Sequence, residues 1–350
     1  MAEFAIGALN IGGQNPPVVV AEIGANHDGN IDKAERMFVE LARTGAKLVK
    51  LQMYSAEELV ADADRMVKWG RPGQQTEERV GNMFSRISLP REAFAGLFAQ
   101  ARSLGLEPFA TPFSEEGVDF LMTMDTSCFK IAASDVTHLP LLRHIARTGK
   151  PVVLSLGKCT LSEADEAVNC LMDNGCKDIA VLHCVASYPS PIDDMNLRVI
   201  PTLAQVYPEC IIGFSDHSLG TTASLASVAL GAKIIEKHVT LDHNDPGPDH
   251  WFSLDMDQLE KLVQGVHDVY RALGHPRKRI LECELQGRFS ATRSLVTNRD
   301  MFVGERIGSK DLKVVRPGTG IPPRHFDTIV GMMLHRNVSN NTPLQWEMFK

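Results

Sequence analysis

The strongest constraint on the fold is a strand-helix-strand pattern over residues 211–238. An apolar run with β-branched residues ends at His217, small and apolar residues follow, and a second apolar run ends at His238. Parallel strands joined in this way bring their carboxyl ends to one edge of a sheet, so we predict that both histidines face one pocket. Asp216 or Glu236 would supply a carboxylate nearby. Two imidazoles with open coordination positions form a candidate metal site. The alternative is that they only hydrogen-bond within loops.

The same alternation continues through the first three quarters of the chain. Apolar runs followed by helical periodicity predict strands at residues 18–23, 47–53, 107–111, 128–132, 151–155, 178–184, 211–217 and 231–238. Eight strands that alternate with eight helices over roughly 270 residues are the count and size of a (β/α)₈ TIM barrel. A doubly wound open sheet is the alternative, but it normally has fewer strands.

Polar side chains follow the predicted strands at or just past their carboxyl ends. This set comprises Glu22, Lys50, Gln52, Thr111, Lys130, Ser155, His183, Ser215, His217, Glu236 and His238. Barrel enzymes build their active sites at this face, so the pattern predicts a catalytic site there.

The remaining segments define the domain organisation. We predict a barrel domain over residues 1–275, a basic, proline-containing linker over 276–290 and a small compact domain over 291–350. Residues 61–82 are polar and long for a strand-to-helix connection. We interpret them as a lid or binding loop, with a decorated surface loop as the alternative.

Composition excludes several classes of protein. The formal net charge of −7 argues against a nucleic-acid or membrane-surface binder, because such surfaces are basic. The seven cysteines are scattered and contain no Cys-x-x-Cys pair, so neither a disulfide framework nor a structural zinc site is predicted. No apolar run approaches the roughly 20 residues of a membrane span, and the start of the chain does not resemble a targeting signal. We therefore expect a cytoplasmic protein.

Two strand-end lysines indicate the kind of ligand. Lys50 and Lys130 are accompanied by hydroxyls at Thr111, Ser155 and Ser215, a set that suits a small phosphorylated carboxylate. A Schiff-base lysine is the alternative. Nucleotide-binding glycine motifs and a Gly-x-Ser-x-Gly elbow are absent from the sequence.

The motifs at and near the predicted strand ends resemble those of the sialic acid synthase family. The matching segments are VAEIGANHDGN at 20–30, KLQ at 50–52, ATPF at 110–113, LHC at 182–184, GFSDHSLG at 213–220, EKH at 236–238 and PGPDH at 246–250. The segment VRPGTGI at 315–321 is similar to the antifreeze-like (SAF) domain of that family. The resemblance covers nearly the full chain.

The resemblance implies a reaction and its residues. The family condenses phosphoenolpyruvate with an N-acetylmannosamine-type sugar and water to give a nine-carbon 2-keto acid and phosphate. It implies catalytic roles for Glu22, His217 and His238, and it implies that the two histidines bind a divalent metal, Mn²⁺ or else Mg²⁺ or Co²⁺. The implied phosphoenolpyruvate contacts are Lys50, Thr111, Lys130, Ser155 and Ser215, and the implied sugar contacts are Asp135, Tyr188, Asp249 and Arg316. Arg316 would reach the barrel of a partner subunit, which implies a domain-swapped homodimer.

The chain departs from the family pattern at three places. Ala133 stands where a hydroxyl is usual unless Ser134 replaces it, Ala186 stands where asparagine is common, and Lys158 adds a cation near the phosphate region. Two alternatives therefore stay open. One is a related synthase that condenses phosphoenolpyruvate with another, phosphorylated aldose, and the other is a non-catalytic sugar-binding relative.

Overall fold

A computed structural model describes residues 2–349 of the chain. It divides into two compact units, the first ending at Gly274 and the second beginning at His275. Each unit has its own hydrophobic core.

Twelve strands occur in the described part of the first unit, residues 2–274. They are β1 Glu3–Ile6, β2 Leu9–Gly12, β3 Val18–Glu22, β4 Leu48–Met53, β5 Met66–Trp69, β6 Thr76–Arg79, β7 Glu107–Pro112, β8 Phe129–Ile131, β9 Val152–Leu156, β10 Ile179–Cys184, β11 Ile211–Asp216 and β12 Ile234–His238. Its α-helices are α1 Ile31–Leu41, α2 Ala56–Leu59, α3 Val80–Ile87, α4 Ala93–Ser103, α5 Glu115–Met122, α6 Leu139–Arg147, α7 Leu161–Asp173, α8 Val199–Val206, α9 Thr222–Ala229 and α10 Met256–Leu273. Short 3₁₀ turns occupy Ala133–Asp135, Ile192–Asp194 and His250–Phe252.

Eight of these strands form a closed parallel barrel. Their order around the ring is β3, β4, β7, β8, β9, β10, β11 and β12, after which β12 pairs with β3. Helices pack outside, as α1 does through Met37, Phe38 and Leu41. The predicted TIM barrel is confirmed.

The register of β11 and β12 determines which side chains enter the barrel. Asp216 pairs with Lys237 across the two strands, so His217 and His238 leave the sheet at the same level. Because side chains alternate along a strand, Asp216 and Lys237 point outward, where their side chains lie 3.0 Å apart and fully buried. Of the two carboxylates predicted near the histidines, only Glu236 faces the cavity.

A hairpin that was not predicted from the sequence closes the amino-terminal end of the barrel. Strands β1 and β2 pair antiparallel, and Phe4, Ile6 and Ile11 pack against the first residues of several barrel strands, including Leu48 and Ile211. Each strand has only four residues, too few for a clear alternation in the sequence.

The polar stretch over residues 61–82 is an ordered hairpin rather than an irregular loop. Strands β5 and β6 pair antiparallel, and the indole of Trp69 donates to Glu78 at 2.8 Å. Arg86 on α3 also donates to Glu78, at 2.7 Å. Both faces of β6 are largely polar, so hydrophobic alternation could not reveal it.

The second unit is small and irregular. Its elements are α11 Glu282–Ala291, β13 Ser294–Thr297, the 3₁₀ turns Ser309–Asp311, Pro323–His325 and Trp346–Met348, β14 Leu312–Val315 and α12 Phe326–Ile329. Leu295, Ile307, Ile329 and Leu334 lie in its core. Helix α11 occupies most of residues 276–290, the segment interpreted as a linker. Across residues 2–349, none of the helices has the length and apolarity needed to cross a membrane.

The hairpin plug gives a stability prediction. Ile11→Ala removes a fully buried side chain, so the free energy of unfolding should fall by about 2–4 kcal/mol. Asn10→Ala changes the exposed neighbouring residue and should change that free energy by less than about 0.5 kcal/mol. Urea denaturation of both variants measures the difference, and equal stabilities would contradict the packing of the hairpin.

Candidate functional site

A polar cavity of about 50 Å³ lies at the carboxyl ends of the barrel strands. We call it the inner cavity. It is lined by Lys50, Gln52, Thr111, Phe113, Lys130, Ala132, Ala133, Ser155, Cys184, Tyr188, Ser215, His217, Glu236 and His238. Residues from seven of the eight barrel strands or the loops after them therefore converge on one point.

Two buried lysines are compensated there by two buried glutamates. The ammonium of Lys50 lies 2.9 Å from Glu22 Oε2 and 3.3 Å from Glu236 Oε1. Lys130 donates to Ser155 Oγ at 2.7 Å and lies 3.8 Å from Glu236 Oε1. All four charged groups are at least 95 % inaccessible to solvent, so none could be charged without these partners.

Hydroxyls complete the cluster. Ser215 Oγ donates to Glu236 Oε1 at 3.2 Å, and Lys50 lies 3.4 Å from Thr111 Oγ1. The amide of Gln52 donates to Glu22 Oε1 at 2.8 Å. Three hydroxyls and two ammonium groups therefore present hydrogen-bond donors to one small volume, the arrangement that oxyanions require.

The environment shifts the ionisation of these groups in different directions. Burial would raise the pKa of Glu236, but Lys130 and Lys50 outweigh it and lower that pKa. Burial raises the pKa of Glu22, an effect that Lys50 only partly offsets. Burial would lower the pKa of Lys50, but Glu22 and Glu236 raise it. Burial lowers the pKa of Lys130, partly offset by Glu236.

The two histidines lie side by side at the rim of the inner cavity. Their ring centroids are 5.4 Å apart. Burial lowers the pKa of His217 to about 4 and that of His238 well below its usual value, so both rings are neutral near pH 7. His217 Nδ1 lies 3.0 Å from the Val185 carbonyl and must donate to it, which leaves Nε2 with a free lone pair.

His238 has an unsatisfied nitrogen. Its Nδ1 is buried without a hydrogen-bond partner and lies 3.5 Å from Asp249 Oδ2, and Glu236 Oε2 is unsatisfied as well. Burial raises the pKa of Asp249 to about 7, and Glu22 adds to that effect. Neutral imidazoles with free lone pairs beside carboxylates are a donor set that fits a divalent metal ion.

A second, larger compartment opens outward from the inner cavity. This outer compartment has a volume of about 580 Å³ and shares Gln52, Phe113, Ala132, Ala133, Tyr188 and His238 with the inner cavity. Its additional apolar wall consists of Ala25, Tyr54, Leu59, Val60, Met83, Phe84, Ile87, Ala186 and Pro248. Its polar residues are Arg65, Ser134, Lys158 and Asp249. Much of this wall comes from the segment 59–87 that includes the β5–β6 hairpin.

The structure brings most of the predicted site residues together. The inner cavity is lined by Lys50, Thr111, Lys130, Ser155, Ser215, His217 and His238. Tyr188 lines both compartments and Asp249 lines the outer one, whereas Glu22 lies behind Lys50. Asp135 lines neither, since its carboxylate faces Ser134 and His138. Arg316 is an exposed residue of the second unit.

Some residues differ from the sequence interpretation. His183 is not at the cavity, because its ring stacks on Phe214 and its Nε2 lies 2.7 Å from the Met195 carbonyl. Ser134 lines only the outer compartment and therefore does not replace the hydroxyl missing at Ala133 in the inner cavity. Glu236 and Gln52 line the inner cavity but were not predicted as binding residues. The signal in the sequence was their spacing: Glu236 lies two residues before His238 on one strand and Gln52 lies two residues after Lys50 on another, so each pair faces the same side.

A separate acidic group lies beside this site. Asp28, Asp245 and His250 bring ligand atoms within 4.8 Å of one another, a geometry that could hold a metal ion. The ammonium of Lys33 lies 2.6 Å from both carboxylates, however, and already supplies a cation.

Comparisons with known proteins agree with this architecture. Residues 38–278 match the NeuB family and residues 292–350 match the SAF domain. The N,N'-diacetyllegionaminic acid synthase of Legionella pneumophila is 34 % identical over 333 residues, which cover 94 % of this chain and 93 % of that protein. The N-acetylneuraminate-9-phosphate synthase of Homo sapiens is 31 % identical over 349 residues, 97 % of this chain and 94 % of that one.

A solved structure extends the comparison to the fold. The N-acetylneuraminic acid synthetase from Leptospira borgpetersenii superposes with a TM-score of 0.73 at 33 % identity, covering 81 % of this chain and 94 % of that chain. A closed barrel with a charged cavity at its carboxyl face and a SAF domain defines an enzyme of the acid synthase class. The chain belongs to the NeuB, or sialic acid synthase, family, which confirms the resemblance of its motifs.

The close approach of Gly24 to His238 gives a prediction for the site. Gly24 has φ +55°, and a Cβ there would lie 3.0 Å from the His238 ring, which is itself held by Phe252 and Tyr188. Gly105 has φ +78° with open space around it. Each change to alanine should cost about 1–2 kcal/mol of backbone strain, and Gly24→Ala about 1 kcal/mol more for crowding the ring. Denaturant unfolding measures both, and equal losses would contradict the tight contact.

Proposed function

We propose that the enzyme condenses phosphoenolpyruvate with an N-acetylmannosamine-type sugar and releases phosphate and a nonulosonic acid. The observation that carries this proposal is the pairing of two buried lysines and three hydroxyls with two neutral histidines around one cavity. The names of the relatives support it, since the protein from Legionella pneumophila is an N,N'-diacetyllegionaminic acid synthase and the protein from Homo sapiens is an N-acetylneuraminate-9-phosphate synthase.

Phosphoenolpyruvate binds at the inner cavity in this proposal. Lys50, Lys130, Thr111, Ser155 and Ser215 donate hydrogen bonds to its phosphate and carboxylate. The two lysines are already balanced by Glu22 and Glu236, so a polyanion entering this cavity would lack counter-charge. An additional cation close by would remove that deficit.

His217 and His238 are the residues that would hold this cation. Their neutral imidazoles favour a first-row transition ion, and we propose Mn²⁺, with Co²⁺ or Mg²⁺ as alternatives. A bound divalent ion supplies Lewis acidity that polarises the aldehyde of the open-chain sugar. Asp249 and Tyr188 flank the histidines and orient the sugar beside them.

The outer compartment would receive the sugar. Its wall of Tyr54, Leu59, Met83 and Phe84 offers apolar contacts to an N-acetyl methyl group, while polar groups at the boundary with the inner cavity face the aldehyde end. Burying one methyl group contributes about 0.8 kcal/mol, enough to favour N-acetylated over free amino sugars.

The reaction follows from this placement. Carbon 3 of phosphoenolpyruvate attacks the aldehyde carbon and water adds to carbon 2, so that the proton lost by the water balances the proton gained by the aldehyde oxygen. The resulting tetrahedral centre then loses phosphate by cleavage of its C–O bond, and the phosphate takes up the proton of the carbon 2 hydroxyl as the ketone forms. We propose that Glu22, which contacts Lys50 and whose pKa is raised by burial, accepts the proton of the adding water, and that Lys50 and Lys130 stabilise the departing phosphate.

Two further assignments are part of the proposal. A homodimer would let Arg316 of one subunit complete the sugar site of its partner, consistent with the exposure of this arginine after β14. The cytoplasm is the proposed compartment, because all seven cysteines are free.

A phosphorylated sugar is the second candidate substrate. Arg65 and Lys158 both line the outer compartment, and two cations there could bind a sugar phosphate. The human relative is named a 9-phosphate synthase, which is consistent with this alternative.

A phosphate-release assay tests the proposal. Phosphoenolpyruvate is incubated with Mn²⁺ and, in separate reactions, N-acetylmannosamine, its 6-phosphate and 2,4-diacetamido-trideoxy hexoses. We expect release with one unphosphorylated sugar, a loss of at least about 100-fold in His217→Ala, and a smaller loss in Arg316→Ala. His267→Ala changes an exposed histidine on α10 and should retain full activity.

Release only with the 6-phosphate would favour the second candidate. No release with any sugar, or release that is unchanged in His217→Ala, would contradict the proposed function.

A further inference from the structure

Lys33 connects the two loops that flank the histidine end of the site. It lies in the first turn of α1, and its ammonium is 2.6 Å from Asp28 Oδ2 and 2.6 Å from Asp245 Oδ2. Asp28 belongs to the loop after β3, and Asp245 belongs to the loop after β12, 217 residues later. Only about 10 % of the lysine side chain is exposed, so solvent weakens the pairing little.

Other hydrogen bonds join the same two loops. His250 Nε2 lies 3.1 Å from Asp28, and its Nδ1 lies 2.6 Å from Thr240 Oγ1. Asn26 donates to the Val239 carbonyl and to Ser253 Oγ, each at 2.8 Å. The loop over residues 239–253 is therefore attached to the loop over residues 24–30 at both of its ends and in its middle.

This attachment extends to Asp249. Ser253 Oγ donates to the Asp249 carbonyl at 2.7 Å, and the Asp249 carboxylate lies 3.5 Å from His238 Nδ1. Between the anchor at Asp245 and Asp249 the chain includes Gly247, where a Cβ would collide with the His250 ring. The backbone between Asp245 and Asp249 therefore has little room to move, so the position of Asp249 depends on the position of Asp245.

A metal ion is a poorer occupant of this cluster than the lysine. Two carboxylates and a histidine could ligate a divalent ion, but the ammonium already lies at hydrogen-bond distance from both carboxylates. A divalent cation placed between them would meet the lysine charge within a few ångströms, where like charges repel strongly.

We propose that Lys33 is a positioning residue for the sugar half of the reaction. Its ammonium fixes the loop over residues 239–253 to the loop after β3 and thereby holds Asp249 beside His238. Lys33 lines neither the inner cavity nor the outer compartment, so it acts through Asp249. This inference rests on the proposed function, in which Asp249 orients the sugar and the inner-cavity lysines hold phosphoenolpyruvate.

The test compares Lys33→Met and Asp245→Asn with the parent enzyme. Both changes remove the charge pair without changing the inner cavity, so the KM for the sugar should rise at least about tenfold while the KM for phosphoenolpyruvate stays within about twofold. Lys33→Arg keeps a cation and should restore most of the affinity for the sugar. Lys150→Met, which breaks an exposed pair with Asp125, should change neither KM.

Hydrogen exchange provides a readout that needs no substrate. In Lys33→Met, amides of residues 239–250 should exchange at least about tenfold faster, while amides of β4 keep their parental rates. Uniform acceleration of all amides would show general destabilisation and would overturn the proposal. The proposal would also be overturned by an equal rise in the KM values for the sugar and for phosphoenolpyruvate. Unchanged KM values together with faster exchange in residues 239–250 would overturn it as well. If the parent converts no sugar, the proposed function fails, and unchanged loop exchange in Lys33→Met would separately refute the attachment.

Discussion

Two lysines and two glutamates are buried together at the carboxyl face of the barrel, and the rest of the site is arranged around them. A buried charge without a partner would be strongly unfavourable, so Lys50, Lys130, Glu22 and Glu236 must stay within a few ångströms of one another. These residues come from four different strands. Their mutual compensation therefore requires the register of the barrel to be held closely.

The scaffold satisfies this requirement at both ends. The amino-terminal hairpin fills the opposite mouth of the barrel with Phe4, Ile6 and Ile11, so the strands are packed below the site as well as around it. Outside the barrel, the pair between Asp216 and Lys237 links the two strands that carry the histidines. The inner cavity can be polar because hydrophobic contacts elsewhere provide the stability.

Most of the fold and much of the site could be predicted from the sequence, because buried parallel strands are continuous apolar runs and their carboxyl ends share one edge. The prediction that failed concerned which residue of a strand points into the cavity. His183 and Cys184 are neighbours on β10, yet only Cys184 lines the cavity. A strand buried on both faces has no polar alternation to show which residue points inward.

Residues distant in sequence were hardest to anticipate. Part of the apolar wall of the outer compartment flanks the β5–β6 hairpin, at residues 59–60 and 83–87. The length of the polar stretch between them indicated a lid or binding loop, but no sequence pattern indicated that these apolar neighbours line a compartment. The contact of Lys33 was equally hard to predict, because its partner Asp245 lies 212 residues away and only the folded chain brings them together. Local patterns contain no information on such contacts.

The proposed phosphoenolpyruvate site depends on the two buried lysines. Calorimetric titration of phosphoenolpyruvate into the enzyme with Mn²⁺, without sugar, tests it most directly. We expect one site per chain, with an affinity for phosphoenolpyruvate that falls about 10- to 100-fold in Lys130→Met and does not change in Lys177→Met, which alters an exposed lysine. Binding that is equally strong in Lys130→Met, or no binding to the parent enzyme, would show that these lysines do not form a phosphoenolpyruvate site.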